Sequence, residues 1–326
     1  MGAPTVSAVV TAHDRRTFLP DAVGSALASG ADEVIVVRNF SGPIEGCEGR
    51  YRDVPCDVPD TGEKEARGVA AAEGDVVAFL DDDDLWETAK VAAVRERFAS
   101  RPDLIYFCHR QRPIDVEGRW VDASHPELTG KDPTRFARTD RADLRTLVEE
   151  VWPGNNSSTV VSRRWAMGWL PTLRAAGWSC DLFWFVAALL SDGEMELSPT
   201  PLVRLRLHDR NMSSTRGASP EEFRRRHAEA SARFARAYDV LARATGDRRG
   251  AGSAMGRYLS ESAVAFHFFS DLESGLRPRS AAARALRRGP GLHRSGVVGS
   301  ALVTLISPAV ARRLVYRSSV RRWRLG

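Results

Sequence analysis

The apolar residues in the first two thirds of the chain occur as short runs separated by longer segments of mixed polarity. Short uninterrupted runs are typical of buried strands, and segments of ten to fifteen residues with a helical period are typical of helices on the faces of a sheet. The predicted strands are 6–10, 33–37, 76–80, 104–109, 157–162 and 202–207. The predicted helices are 18–29, 63–73, 85–100 and 181–190. This alternation predicts an α/β fold with a mostly parallel central sheet flanked by helices.

Three segments in this part of the chain break the alternation. Residues 38–60 are rich in glycine and proline and predict an irregular loop with at most one short strand. Residues 114–121 resemble a hairpin around Glu117-Gly118, and 124–143 is a polar loop that leads into a helix at 144–151. Beyond residue 216 the pattern becomes helical, with predicted helices at 221–244 and 255–273. We therefore expect one domain over 1–215 and a helical region over 216–326.

The charge is distributed unevenly along the chain. The net charge is +5, yet residues 277–326 contain twelve arginines and no Asp, Glu or Lys, which leaves residues 1–276 at −7, the difference between +5 and +12. This asymmetry favours contact of the basic C-terminal part with an anionic surface. Few aromatic residues are interleaved with these arginines, which disfavours nucleic acid as the partner.

The cysteines and the N-terminus indicate the compartment. The four cysteines, Cys47, Cys56, Cys108 and Cys180, form no Cys-x-x-Cys pair, which is atypical of zinc sites and of disulfide scaffolds. The apolar run 6–10 lacks the basic flank and the cleavage pattern of a signal peptide. A cytoplasmic protein is expected.

The stretch most suggestive of chemistry is 75–86, where a five-residue apolar run ends in four consecutive carboxylates, Asp81 to Asp84. Because side chains alternate along an extended segment, Asp81 and Asp83 are expected on the same side, where hard oxygen ligands suit Mg²⁺ or Mn²⁺. Alternatively, Asp82, Asp83 or Asp84 caps the helix predicted to start near Leu85. One carboxylate suffices for a cap, and four adjacent acids repel one another, so a metal site is the favoured interpretation.

Five motifs in order along residues 4–215 resemble the inverting family-2 glycosyltransferases of GT-A fold. They are 9–15 (Val-Val-Thr-Ala-His-Asp-Arg), the strand 34–37, the acidic segment 74–84, Cys180-Asp181 at the head of a helix, and the Arg-x-His-x-x-Asn-x-Ser pattern of 206–213. Each motif alone is moderately specific, whereas their order and spacing together are specific.

The resemblance implies a sugar transfer from a nucleotide-diphosphate donor to a hydroxyl of a glycan or a lipid-linked acceptor. A divalent metal would stabilise the charge of the departing diphosphate. It implies Asp83 as a metal ligand, Asp81 beside the metal or the ribose, and Asp181 as the general base that takes the acceptor proton. An N-cap of the helix 181–190 is the alternative role of Asp181.

Other residues are implied less directly. Thr11, His13 and Asp14 follow the first strand, and His13 stands where the family usually has an aromatic residue on the nucleotide base. Arg206 and His208 are expected at the diphosphate or in structural hydrogen bonds. Two motifs depart from the family: Arg38-Asn39 replace an acidic pair, and Lys64 is the nearest substitute for an Ala-Arg-Asn motif. Arg38 and Lys64 are retained as donor-binding candidates, and the identity of the nucleotide stays open.

Three other functions compete with this interpretation. A nucleotidyltransferase would need a glycine-rich loop after the first strand, and 11–14 contains no glycine. An aspartyl phosphatase would need Thr or Val where Leu85 stands. A non-catalytic nucleotide-sugar binder is distinguished from an enzyme only by an assay.

The C-terminal part contains a seventeen-residue uncharged stretch, 295–311, between arginines. A transmembrane helix needs about 20 apolar residues, and Pro308 interrupts this stretch, so spanning is not expected. Two interpretations are open: peripheral attachment of 277–326 to the anionic inner face of the cell membrane, or packing of a helix on the catalytic domain.

Overall fold

The computed structural model describes residues 2–121, 154–208, 219–249, 253–287 and 295–324. The predicted loop 124–143 and helix 144–151 lie outside these ranges, as do residues 209–213 of the last motif. The strands are β1 (Val6–Thr11), β2 (Glu33–Arg38), β3 (Arg52–Pro55), β4 (Val76–Asp81), β5 (Leu85–Trp86), β6 (Leu104–Ile114), β7 (Thr159–Ser162) and β8 (Glu194–Arg206). The helices are α1 (Leu19–Ala28), α2 (Thr61–Ala71), α3 (Lys90–Ser100), α4 (Arg163–Met167), α5 (Leu170–Ala176), α6 (Cys180–Leu189), α7 (Pro220–Arg249), α8 (Ala254–Ser274), α9 (Pro278–Arg287), α10 (Ser295–Ile306) and α11 (Pro308–Arg324).

The described residues form two compact units. The first comprises the described residues up to Leu207, and the second comprises His208 and the helices from α7 onward. Each unit is described by itself below.

The first unit contains an eight-stranded sheet in the order β3-β2-β1-β4-β7-β6-β8-β5. The pairs β2–β3, β1–β2, β1–β4 and β6–β8 are parallel. The pairs β4–β7, β6–β7 and β5–β8 are antiparallel. The expected parallel arrangement is thus confirmed over β1 to β4, and the half of the sheet beyond β7 is mixed.

Helices cover both faces of this sheet, as the strand and helix alternation predicts. One face packs Ala8 and Val10 of β1 in a core with Val23 of α1 and Val94 of α3. On the opposite face the Trp184 indole of α6 stacks on the Phe79 ring of β4, with ring centroids 5.7 Å apart. The carboxyl ends of the strands, where the polar motifs lie, are left for the site.

The segment after the four acids differs from its prediction. A helix is predicted from Leu85, but Leu85 and Trp86 form β5 and pair with Arg204 and Val203 of β8, and α3 begins at Lys90. Trp86 is buried, and its indole Nε1 donates a hydrogen bond to the carbonyl of Phe79 at 3.3 Å. Burial of this side chain favours strand pairing over an immediate helix start.

The sheet bends back on itself beyond β7. Only residues 82–84 connect β4 to β5, which spans at most about 15 Å, whereas four strand spacings in a flat sheet measure about 19 Å. Register shifts in the β6–β8 pair lie between His109 and Arg110 and between Arg110 and Gln111. Such irregularities bend a strand pair, and here they bring the edge strand β5 back to the end of β4.

The second unit is an all-helical assembly of α7 to α11. Its core contains Phe223, Phe268, Leu272, Ala282, Ala301 and Val315 together with further small apolar side chains. The predicted helices 221–244 and 255–273 are confirmed within α7 and α8. Among the described residues, no helix combines the length and the apolar character that crossing a membrane requires.

Candidate active site

The four carboxylates lie at the carboxyl end of β4, in the middle of the sheet. Asp81 is the last residue of β4 and is in register with Thr11, the last residue of β1. Within the part of the chain that the structure describes, Asp81, Asp83 and Asp84 each offer an oxygen within 4.8 Å of the others. The sequence predicts Asp81 and Asp83 as metal ligands, and in the structure an oxygen of Asp84 lies close to both.

The acidic loop is held by hydrogen bonds from the segment before β7. Asn156 Nδ2 donates to Asp81 Oδ1 at 3.1 Å, and Ser157 Oγ donates to Asp84 Oδ2 at 2.7 Å. The backbone N–H of Asp81 donates to the same Ser157 hydroxyl at 3.0 Å. The buried Lys90 ammonium donates to the Ser157 carbonyl at 2.6 Å, which fixes the segment before β7. Asp84 is therefore committed to holding the loop.

Arg15 is the basic partner of the loop. Its Nη1 lies 2.8 Å from Asp83 Oδ2, and its Nη2 and Nε donate to the two oxygens of Asp82. Burial opposes the charge on Arg15, but the neighbouring Asp83 and Asp82 hold its pKa above the ordinary value. Asp82 is consequently a partner of Arg15 and not a helix cap.

The remaining negative charge makes a divalent cation a chemical fit for this site. Burial and the repulsion from Asp83 raise the pKa of Asp81 and of Asp82 to about 7 each, and the same causes raise the pKa of Asp84. A hard divalent cation between Asp81 and Asp83 would relieve this repulsion and is the kind of ion that carboxylates bind.

The residues predicted at the nucleotide lie together at the ends of β1 and β2. Asn39 Nδ2 donates to Asp14 Oδ1 at 2.6 Å, and the Asp14 N–H donates to Asn39 Oδ1 at 3.0 Å. Asp14 adopts a left-handed conformation with φ of 56°. His13 is partly exposed beside it, and burial together with the nearby Lys64 charge lowers the pKa of His13. Thr11, His13, Asp14 and Lys64 thus belong to one cluster.

Arg38 ends β2, but its side chain contacts the loop that follows β2. Its guanidinium is buried and binds both oxygens of Asp53 at 2.6 Å, and its Nη2 also donates to the Gly42 carbonyl at 2.6 Å. These contacts hold the loop between β2 and β3. We therefore assign Arg38 to the loop and not to the donor.

Arg206 is likewise committed to the fold. Its Nε donates to the Asp83 carbonyl at 2.9 Å, its Nη1 donates to the Val116 carbonyl at 2.7 Å, and its backbone N–H donates to Asp84 Oδ1 at 2.9 Å. Arg206 therefore shapes the acidic loop from β8, in agreement with the structural alternative. His208 lies two residues farther along and is partly exposed.

Asp181 lies in the first turn of α6, and its charge acts on Asp81. Ser179 before it has a φ of 55°, a left-handed conformation that turns the chain into the helix. Asp181 Oδ1 accepts a hydrogen bond from the Leu182 N–H at 2.8 Å. The structure thus brings the predicted base to the acidic loop.

Glu65 of α2 is a buried glutamic acid near both Asp81 and Asp181. Its Oε2 accepts a hydrogen bond from Trp184 Nε1 at 2.7 Å, and its Oε1 is buried without a hydrogen-bond partner among the described residues. Burial raises the pKa of Glu65 to about 8, and the charges of Asp81 and Asp181 act in the same direction. This environment favours the protonated, neutral form of Glu65.

Sequence reasoning missed Arg15, Asn156, Ser157 and Glu65. Arg15 had a signal, since it follows His13-Asp14 within the first motif. The run of small polar residues at 154–159 directly before a strand was a weaker signal for Asn156 and Ser157. Glu65 had none, because a glutamate in an amphipathic helix is normally exposed.

Part of the chain matches a known protein family. Residues 7–158 match the model of glycosyl transferase family 2. An uncharacterized glycosyltransferase of Nostoc sp. is 26% identical over 128 residues, and this match spans 36% of the chain and 39% of the relative.

The fold is matched by a solved structure of the same type. S. aureus TarS 1–349 in complex with UDP-GlcNAc aligns with a TM-score of 0.50 at 14% identity, over 97% of this chain and 92% of that one. The crystal structure of S. aureus TarS 1–349 aligns with a TM-score of 0.49 at 14% identity over the same shares. Over residues 7–158 this chain is therefore similar to glycosyl transferase family 2, and its described α/β architecture is that of the GT-A fold.

Proposed function

We propose that this chain is an inverting glycosyltransferase that moves a sugar from a nucleotide-diphosphate donor to a hydroxyl of a glycan or lipid-linked acceptor. The observation that carries the proposal is the placement of Asp81 and Asp83 at the end of β4, with Asp181 close enough for its charge to act on Asp81. An acid pair for a metal and a separate carboxylate base are the parts that a single displacement needs.

Asp83 and Asp81 would hold Mn²⁺ or Mg²⁺, which when bound supplies positive charge beside the donor diphosphate. Asp181 takes the proton of the acceptor hydroxyl as its oxygen forms a bond to the anomeric carbon. The bond from that carbon to the diphosphate oxygen breaks, and the electron pair leaves with the diphosphate. One displacement inverts the anomeric configuration.

The chain's own residues prepare this step. Arg15 holds Asp82 and Asp83 in place, and Arg206 holds the backbone of the loop. His13, Asp14 and Lys64 form the wall at which the nucleotide would bind. The partly exposed His13 offers an aromatic face for a base, and the exposed Asp14 offers an acceptor for a ribose hydroxyl. Lys64 is buried and contributes through its charge, which acts on His13.

The crystal structure of S. aureus TarS 1–349 in complex with UDP-GlcNAc, which has a similar fold, supports a nucleotide sugar as the donor class. We further propose that the protein works at the cytoplasmic face of the membrane, with residues 277–326 meeting its anionic surface. This segment contains twelve arginines and no Asp or Glu, which supports that location.

The metal and donor assignment is tested by thermal unfolding with UDP-, GDP- and dTDP-sugars, each with and without Mn²⁺. At least one donor is expected to raise the melting temperature only when Mn²⁺ is present, because a metal held by Asp81 and Asp83 would supply the positive charge that a diphosphate needs. Asp83→Asn should abolish this metal-dependent shift, while Asp192→Asn, which changes an exposed carboxylate, should retain it. Absence of any metal-dependent shift in the unchanged protein contradicts the proposal.

The base is tested by Asp181→Asn, which removes the proton acceptor and preserves the size of the side chain. General base catalysis typically contributes about 10² to 10⁴ in rate, so transfer should fall by that factor. The Kd for the donor should stay within about twofold, because Asp181 contacts the acceptor oxygen and not the donor phosphates. Turnover at the rate of the unchanged protein would remove Asp181 as the base.

A further inference from the structure

One end of the helical unit exposes a cluster of large apolar side chains. They come from the turn between α8 and α9, the last turns of α10 and the first turns of α11. We call them the apolar tip, which consists of Leu276, Leu302, Leu305, Ile306, Val310 and Leu314. Ile306 is 81% exposed and Leu276 is 67% exposed, values that are unusual for aliphatic side chains in a packed domain.

Hydrogen bonds bring the two turns to the same end of the unit. Arg279 Nη2, near the start of α9, donates to the carbonyl of Ile306 at the end of α10 at 3.4 Å. Arg312 Nε, in the first turns of α11, donates to the carbonyl of Leu272 near the end of α8 at 2.7 Å. The residues of the apolar tip therefore lie at the same end of the helical unit.

Basic side chains surround this surface. Arg313 and Arg317 are exposed on α11 beside Val310 and Leu314, and Arg277 and Arg279 flank Leu276. The nearest acids are already satisfied or enclosed, since Asp271 binds Arg284 at 2.7 Å and the Glu273 side chain is buried. An apolar centre with a basic rim is complementary to an anionic bilayer interface.

We propose that the apolar tip inserts between the lipids of an anionic bilayer while the surrounding arginines bind the headgroups. This proposal deepens the membrane location given above, which alone requires only electrostatic attraction, and it assigns the inserted residues. It is independent of the sugar transfer chemistry of the first unit.

The charge pattern favours a bilayer over a second copy of the chain. Two copies meeting at this surface would bring together the arginines of both, and residues 277–326 contain no carboxylate to neutralise them. Like charges that face each other without partners oppose association, whereas anionic headgroups supply the missing negative charge.

The test uses the full chain and sedimentation with vesicles of phosphatidylcholine alone or mixed with phosphatidylglycerol. The unchanged protein should bind the mixed vesicles. Ile306→Glu with Val310→Glu should weaken this binding about tenfold or more, because two inserted apolar side chains become charged. Met167→Glu, a change of an exposed apolar helix residue in the first unit, is the matched control and should bind normally.

Arg313→Gln with Arg317→Gln separates the two contributions. This variant should weaken binding to the anionic vesicles while leaving the weak binding to phosphatidylcholine unchanged. Circular dichroism checks that each variant is folded, which is expected because the changed side chains are exposed.

Three outcomes overturn the insertion. Equal binding of the Ile306→Glu, Val310→Glu variant and the unchanged protein shows that the tip does not insert. Absence of binding to either vesicle by the unchanged protein refutes membrane attachment. If the unchanged protein does not bind vesicles but forms concentration-dependent dimers, and Ile306→Glu prevents these dimers, the partner of the apolar tip is a second copy of the chain. The Mn²⁺-dependent thermal shift is read separately, so failure here is distinguishable from failure of the proposed transfer.

Discussion

At the scale of single residues, the fold keeps ionisable groups in opposite states within a small region. Arg15 stays charged between Asp82 and Asp83, whereas Glu65 is neutral beneath Trp184. The difference follows from the partners, because carboxylates stabilise a cation, whereas a single indole N–H gives little compensation for a buried anion.

Glu65→Gln provides a test of the neutral state of Glu65. Because burial raises its pKa from 4.5 to about 8, the folded protein binds the proton more tightly than the unfolded chain. Stability from this group is fully present below pH 4.5 and is lost as the pH rises toward 8. Gln keeps an acceptor for Trp184 and does not ionise. The melting temperature of Glu65→Gln minus that of the unchanged protein should therefore increase from pH 5 to pH 8.

Thermal unfolding without added metal at three pH values within that range measures this difference. Glu96→Gln, a change of an exposed glutamate on α3, is the control and should follow the unchanged protein throughout. Parallel pH curves for Glu65→Gln and the unchanged protein would show that Glu65 is charged in the fold.

Sequence reasoning reached the residues whose role is visible in a motif. Asp81, Asp83, His13 and Asp14 were predicted at the site and lie at the ends of β4 and β1. Arg38 was predicted at the donor, and its guanidinium binds Asp53. Arg206 was predicted at the diphosphate or in structural hydrogen bonds, and it makes structural hydrogen bonds to the acidic loop. A motif fixes where a residue lies along the chain, but the partner that its side chain selects depends on distant segments.

At the scale of elements, the contact between α2 and β1 positions the donor cluster. Gly68 of α2 faces Val9 of β1, and a Cβ at this glycine would lie 2.3 Å from Val9 Cγ1. The glycine therefore allows the close approach that places Lys64, one turn earlier, near His13.

Gly68→Ala is expected to destabilise the protein by about 1 to 3 kcal/mol, because the stiff and buried Val9 cannot move aside. Gly24→Ala in α1 is the matched control, since no atom lies within 4 Å of the added Cβ. Alanine should stabilise that helix by about 0.5 to 1 kcal/mol. Denaturant unfolding measures both, and equal effects of the two substitutions would contradict the packing argument.

The periodic pattern predicted most elements and failed where pairing between distant segments decides the structure. The strands β1, β2, β4 and β7 lie within one or two residues of their predicted bounds. β5 was predicted as the start of a helix, and β8 extends eight residues before the predicted strand at 202–207. Both deviations arise from pairing with strands far along the chain, which a local pattern does not contain.

At the scale of the whole molecule, the two signs of net charge lie in different parts of the chain. Residues 1–276 have a net charge of −7 and residues 277–326 one of +12. The sequence predicts this separation because charge can be counted without a fold. The apolar tip was not predicted, since 295–311 is uniformly uncharged and only packing reveals which of its side chains are covered.

The bend of the sheet also determines how the acidic loop connects two strands. Residues 82–84 join the central strand β4 to the edge strand β5, and β5 is in turn locked to β8 by Glu87, which binds Arg204 at 2.9 Å through both oxygens. Residues 81–84 form a turn in which the Asp84 N–H donates to the Asp81 carbonyl at 3.3 Å. Strand pairing fixes both ends of this turn, so loss of the Glu87–Arg204 ion pair at the edge of the sheet is expected to change the spacing of the carboxylates at its centre.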